Sequence, residues 1–160
     1  MEIERKFLVA QMPDRLDEYE HALIVQAYLC TEPVMRIRRH GEKYIFTYKG
    51  SGMMMREEYN LPLTQEAFEH LLPKADGNRI EKTRYLIPLD DAGKPLPPGV
   101  PSEGLVAELD VFTLPKPLVM AEVEFPDEES VLAFEMPAWF SKEVTADPAY
   151  HNSNMSKAGN

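Results

Sequence analysis

Cysteine is almost missing from this chain: Cys30 is the only one in 160 residues. Neither an internal disulfide nor a cysteine-built zinc site can be assembled from it alone, and Cys30 is expected to be a small packed residue. No apolar run approaches the ~20 residues that a membrane-spanning helix requires. The opening Met1-Glu2-Ile3-Glu4-Arg5-Lys6 lacks the basic start and apolar middle of a secretory leader. A cytoplasmic protein without a membrane partner is expected. Basic charge is scarce too. Lys and Arg number 17 against 27 Asp and Glu, for a net charge of −10, which argues against nucleic acid as a partner. His21, His40, His70 and His151 form no HExxH or other close metal spacing, and neither GxSxG nor GxxxxGK[ST] occurs. Each histidine is expected to be structural or on the surface.

What is present fits one globular domain over residues 1–160: 44% of residues are hydrophobic and 28% charged. Asp90 to Glu103 carries four prolines and two glycines and reads as a long loop. Strand signals cover 2–9, 24–30, 34–40, 43–49, 54–61, 79–88, 104–112 and 118–125. Short helices are expected around 15–22, over Thr64 to Leu72 with Thr64 as N-cap, and over Asp127 to Phe134, with a further turn after Tyr150.

The two-residue period of a strand sorts side chains onto faces. One face groups Glu2, Glu4 and Lys6; Arg36 and Arg38; Thr47 and Lys49; Arg56 and Glu58; Lys82 and Arg84; Glu108 and Asp110; Glu122 and Glu124. Tyr44, Phe46, Tyr48 and Tyr85 fall on the opposite face. A single such pair describes any wet sheet, but here nearly every strand carries charge at i and i+2. Closing the sheet with that face inward gives an eight-stranded barrel with an ionic lumen, large enough for side chains or one small ligand. Seven acids then face seven bases, so the surplus acid lies on the surface.

So many confined charges would be costly in a purely structural role. A water-filled lumen with an ionic cargo removes that difficulty. Arg and Lys from several strands suit a polyanion rich in phosphate oxygens, and grouped carboxylates suit a hard divalent cation such as Mg²⁺ or Mn²⁺.

Glu2-Ile3-Glu4-Arg5-Lys6 resembles the N-terminal ExExK signature of the CYTH superfamily, the triphosphate tunnel metalloenzymes. It is followed in order by QAYL at 26–29, RIR at 36–38, TYK at 47–49, the R-x-E of Arg56 and Glu58, KTR at 82–84, ELDVF at 108–112, EVE at 122–124 and EVTADPAYHNSN at 143–154. The resemblance implies an α+β, mainly β fold: an eight-stranded antiparallel closed tunnel with short helices packed outside. It also implies a metal-dependent enzyme acting on a linear triphosphate. Glu2, Glu4, Glu58, Asp110, Glu122 and Glu124 match metal-binding positions. Lys6, Arg36, Arg38, Lys49, Arg56, Lys82 and Arg84 match phosphate-binding positions, with Lys6, Arg38, Lys49, Glu58 and Lys82 placed in catalysis. Tyr28 is a substrate-site candidate that could pair with Lys6. Asn60 stands where the family often has a glutamate.

Hydrolysis of inorganic triphosphate, with Mg²⁺ or Mn²⁺, is the leading expectation. The alternatives are a class IV type adenylate cyclase, a thiamine or nucleoside triphosphatase, and a non-catalytic polyphosphate-binding module; a homodimer is left open. Lys49-Gly50-Ser51-Gly52 is read as a hairpin turn instead of a phosphate-cradling loop, and Tyr150 to Lys157 as either a tunnel closure or a frayed tail.

Overall fold

A computed structural model describes residues 1–90 and 103–157. The loop expected from Asp90 to Glu103 lies, between 91 and 102, outside the described residues. The strands are β1 Glu2–Val9, β2 His21–Thr31, β3 Val34–His40, β4 Lys43–Lys49, β5 Met55–Arg56, β6 Glu58–Leu63, β7 Asp76–Pro88, β8 Val106–Leu114, β9 Leu118–Glu124 and β10 Phe140–Glu143. The helices are α1 Gln65–Leu71, α2 Glu128–Ala133 and α3 Asn152–Met155. Among the described residues no helix is long and apolar enough to cross a membrane.

The sheet runs β10-β1-β9-β8-β7-β2-β3-β4-β6, with every pairing antiparallel. Closure comes from β5, which continues into β6 past Glu57 and pairs back to β1 at Glu2↔Arg56 and Ile3↔Met55. Of the ten strands among the described residues, β5 and β6 count as one interrupted strand and β10 is added beside Phe7–Val9, so eight form the barrel wall.

Alternation divides the side chains as the sequence implies. Outside β1, β7, β8 and β9, Phe7, Ile87, Leu109, Ala121 and Val123 pack under Val131 and Phe134 and against Trp139 and Phe140. Arg5 fixes this cover: its guanidinium donates to both carboxylate oxygens of Glu143 (2.9 and 2.6 Å) and to the carbonyls of Val131 and Phe134. A second outer core places Ala27 and Ile37, with Tyr44 and Phe46, beneath Phe68 of α1. The Thr64 hydroxyl caps α1 by accepting from the Ala67 N–H at 3.0 Å, and Asp127 caps α2 by accepting from the Ser130 N–H at 2.7 Å.

The inner face is ionic over only part of its length. Toward one end Tyr28, Val34, Ile80, Phe112 and Met120 form an apolar cluster with Met155 of α3, and Leu8, Leu118 and Tyr150 pack on it. The lumen is closed there by packing.

Several local expectations are revised. Residues 15–22 hold only a 3₁₀ turn at Leu16–Glu18, because β2 begins already at His21 and draws the segment into the sheet. The strand expected over 54–61 breaks at Glu57, and β7 starts three residues before the expected 79. β10 has no counterpart among the expected strands. Cys30 is half-buried instead of packed, its thiol donating to the Glu32 carbonyl at 3.5 Å. Residues 50–54 bend between β4 and β5, with Gly52 at φ 126 where a Cβ would collide with the Met55 carbonyl.

Candidate active site

The lumen holds a cavity of about 250 Å³ lined by side chains from every strand of the wall. Of the expected site residues, Glu2, Glu4, Lys6, Tyr28, Arg36, Arg38, Lys49, Arg56, Glu58, Lys82, Arg84, Glu122 and Glu124 all reach it. Asp110 does not. It is fully buried on the inner face beneath two lining cations, where Oδ1 and Oδ2 accept from Arg84 Nε and Nη2, each at 2.8 Å, and Oδ2 also faces Lys82 Nζ at 2.8 Å. Both oxygens of this expected metal ligand are already engaged by cations.

The charges fall into two groups around the lumen. Near the start of β1, Lys49 Nζ sits 2.8 Å from Glu2 Oε1 and 3.4 Å from Glu58 Oε2, and Arg56 Nε lies 4.0 Å from Glu2. Lys6 Nζ bridges Glu4 at 3.8 Å and Glu122 at 3.6 Å. These cations do not neutralise the acids fully. Burial, then a hydrogen bond with Glu58 and the charge of Glu4, push the Glu2 carboxyl up to about 8. Burial opposes ionisation of Glu58 as well, but the Glu2 hydrogen bond and the Lys49 ammonium outweigh it and hold Glu58 down at about 2. The pair therefore carries one proton between them at neutral pH. Burial and the neighbouring Glu4 and Glu58 also raise Glu124, and burial raises Glu108 despite its 2.8 Å pair with Arg84.

The opposite imbalance occurs on β3. Arg36 and Arg38 have neutral hydrogen-bond partners: Arg36 Nη2 donates to Thr47 Oγ1 at 3.2 Å, and Arg38 Nε to Gln26 Oε1 at 2.9 Å. Among the described residues the buried Arg36 Nε has no hydrogen-bond partner. Burial, with Arg36 and Arg84 facing it, brings Arg38 down to about 9. Lys82 is pushed down to about 8 by burial and by Arg84 and Arg38, although Asp110 opposes this. Here the positive charge is in excess.

Neutral side chains absent from the sequence-derived set complete the site. Asn60 Nδ2 donates to Glu58 Oε1 at 2.7 Å while its Oδ1 accepts from Thr47 Oγ1 at 2.6 Å, so Asn60 links the acidic group to Arg36 through Thr47. Gln26 is fully buried and donates to the Tyr28 hydroxyl at 3.0 Å; that is the hydrogen bond Tyr28 makes, while Lys6 feels it only through charge. Asn152 and Ser153 of α3 line the cavity as well. Parity places Gln26 on the inner face with Tyr28, but a neutral amide carries no charge to mark it there. Of the histidines, His40 lines the cavity, and His151 is buried with Nε2 3.2 Å from the Thr145 carbonyl.

Among the described residues no three His, Cys, Asp or Glu side chains form a ready-made metal cage. The donor set instead suits a hard cation that keeps several waters and takes one or two carboxylates together with oxygens of a bound anion.

A family model described as the CYTH domain matches residues 1–125. The chain is 41% identical over 158 residues to an inorganic triphosphatase of Nitrosomonas europaea, covering 96% of this chain and 95% of that protein. It is 33% identical over 168 residues to an inorganic triphosphatase of Acetivibrio thermocellus, covering 98% and 93%. A solved inorganic triphosphatase structure superposes with a TM-score of 0.66 at 37% identity, covering 98% of this chain and 94% of its own. A Pyrococcus horikoshii protein, at 18% identity and a TM-score of 0.57 over 83% of each chain, shares the fold.

Proposed function

Because the chain belongs to the CYTH domain family, we propose that its lumen hydrolyses inorganic triphosphate to pyrophosphate and phosphate with the help of Mg²⁺ or Mn²⁺. The observation that carries this reading is the divided charge of the lumen. Carboxyls raised in one group and an arginine lowered in the other mark two charge clusters, one relieved by a cation and one by an anion. A metal triphosphate complex supplies both charges in one ligand.

Glu2, Glu4, Glu58, Glu122 and Glu124 would supply oxygens to the metal, which calls for the Glu2–Glu58 pair without its proton. When bound, the metal neutralises charge on the phosphate oxygens and activates water. Asp110 is reassigned from ligand to counter-ion: it aims Lys82 and Arg84 into the cavity. Arg36, Arg38, Lys82 and Arg84 grip phosphate oxygens, Arg36 with an Nε left open for one. Lys49 and Arg56 hold the oxygens nearer the carboxylates, and Tyr28 borders the substrate where the lumen turns apolar. In this reading Arg38, Lys49 and Lys82 stabilise charge on the transferred phosphoryl group, Lys6 that on the departing pyrophosphate, and Glu58 orients the attacking water.

Among the described residues Tyr28 is the one Phe, Tyr or Trp side chain that lines the cavity, and its hydroxyl is held by Gln26, while Phe112 is packed in the apolar cluster. Tyr44 and Phe46 pack under α1, Tyr85 packs in the other outer core, and Tyr48 stacks on Tyr59 at 6.0 Å between ring centroids. Inorganic triphosphate is therefore the better fit than a nucleotide. A cytoplasmic location without a nucleic-acid or membrane partner goes with this reading. The test is phosphate release from triphosphate, ATP and thiamine triphosphate side by side, with Mg²⁺, Mn²⁺ or a chelator. Metal-dependent release, fastest in kcat/KM for inorganic triphosphate, is expected. Cyclic AMP from ATP, or binding without turnover, overturns the proposal.

A further inference from the structure

The cations that face the anion are held by neutral groups as well as by carboxylates, and one of those groups comes from the C-terminal segment. Asn152 Oδ1 accepts from Lys82 Nζ at 3.1 Å and from Gln26 Nε2 at 3.3 Å, while Gln26 Oε1 accepts from Arg38 Nε at 2.9 Å. Lys82 has three N–H donors. Asp110 and Asn152 take two of them, which leaves one for the cavity. Arg38 has its Nε fixed by Gln26, which among the described residues leaves its two terminal nitrogens as a fork at the cavity.

We propose that Asn152 is a positioning residue for the phosphate-binding cations, with one side-chain oxygen setting the Lys82 ammonium directly and the Arg38 guanidinium through Gln26. The inference rests on the reading of the lumen as a triphosphate site and assigns part of that site to α3.

The segment carrying Asn152 is fastened on both sides. His151 engages the Thr145 carbonyl, and Met155 is seated in the apolar cluster that closes the lumen. Beyond α3, the Asn78 N–H donates to the Ser156 carbonyl and Asn78 Nδ2 to the Lys157 carbonyl at 3.1 Å. Gly77, at φ 71, lets the backbone come this close, because a Cβ there would collide with the Ser156 oxygen. Such fastening holds Asn152 within the small tolerance that positioning demands.

The experiment measures binding of triphosphate without metal by calorimetry, and kcat and KM with Mg²⁺, for wild type, Asn152→Ala, Gln26→Leu and the double variant. Val131→Ala, in the outer core under α2 and away from the cavity, serves as the control for thermal destabilisation alone. Asn152→Ala and Gln26→Leu are each expected to weaken metal-free binding about tenfold. The double variant should lose little more than the worse single, because both act on one network. Val131→Ala should bind within twofold of wild type. Asn152→Ser, with an oxygen too short to span both donors, behaves like Asn152→Ala and replaces it if that variant does not fold. Wild-type affinity in Asn152→Ala, or additive losses in the double variant, overturns the proposal. Weakened binding in a protein whose wild type does not hydrolyse triphosphate instead refutes the triphosphatase reading and leaves the positioning role standing.

Discussion

Replacing Asp110 with asparagine separates a counter-ion from a metal ligand. The carboxylate is fully buried, forks onto Arg84 at 2.8 Å twice, and meets Lys82 at 2.8 Å. Asparagine keeps the shape but removes the charge and turns one acceptor into a donor aimed at a cation. Breaking a buried pair from one side costs roughly 3–5 kcal/mol. Two features reduce this. Arg84 keeps Glu108 at 2.8 Å and Glu122 at 3.6 Å. Lys82, already brought down to about 8 with Asp110 as the leading group holding it up, can shed its proton once that support is gone. A loss of about 3 kcal/mol is the working figure, or roughly 6–12 °C in Tm for a chain of this size. Urea unfolding at pH 7 measures the stability. Turnover against Mg²⁺ concentration measures the metal requirement, whose midpoint should move less than threefold while KM for triphosphate rises. Stability within 1 kcal/mol of wild type, together with a tenfold shift in that midpoint, would refute the argument and return Asp110 to the metal.

Arg38→Ala should slow turnover by roughly 10²-fold, the usual cost of one preorganised charge-stabilising donor; steady-state kinetics check it, and a loss below threefold removes Arg38 from the site. In the metal-free protein Glu2 is raised to about 8 and Glu58 lowered to about 2. Between the ordinary carboxyl value and pH 8 the folded state keeps a proton the unfolded chain has released. Stability should therefore fall as pH rises from 5 to 8, by at most about 1.4 kcal/mol per pH unit. Below the ordinary value it should fall again toward pH 2 as the Glu58 carboxylate is protonated. Unfolding in chelator at several pH values tests this, and Glu2→Gln should flatten the neutral slope. Met120→Ala, in the apolar cluster that closes the lumen, should cost about 2–5 kcal/mol yet leave kcat/KM within threefold; a large kinetic loss would place the substrate deeper than the ionic stretch.

The inward charges could be read from sequence because a strand alternates faces with a period of two, and Lys82 with Arg84 or Glu122 with Glu124 leave little doubt about which face they share. The same rule places Leu8, Ile80, Phe112 and Met120 inside, where they make an apolar closure that no pattern of charges marks. Asp110 shows a different limit. Parity puts it on the inner face, yet whether a carboxylate meets water or two cations is decided by its neighbours across the ladder, Arg84 on the adjacent strand above all. The misplaced helix at 15–22 follows from Leu16 and Tyr19, whose helix-like spacing serves packing on the outer core. Asn152 is more than a hundred residues from Gln26 in sequence, and only the fold brings them together.

Closure by β5 gives the barrel an uneven hoop. Most neighbouring strands are joined by long runs of rungs, whereas β1 meets β5 at Glu2↔Arg56 and Ile3↔Met55, with one further bond from the Glu4 N–H to the Met54 carbonyl at 3.2 Å. Parting such a short seam costs less than parting any full ladder, so the amides along it should exchange with solvent ahead of those in β7, β8 and β9. Glu2, Glu4, Arg56 and Glu58 lie on or beside that seam. The bore of the lumen therefore changes most easily where its acidic side chains stand, and the width of the passage and the spacing of those carboxylates are adjusted by one and the same motion.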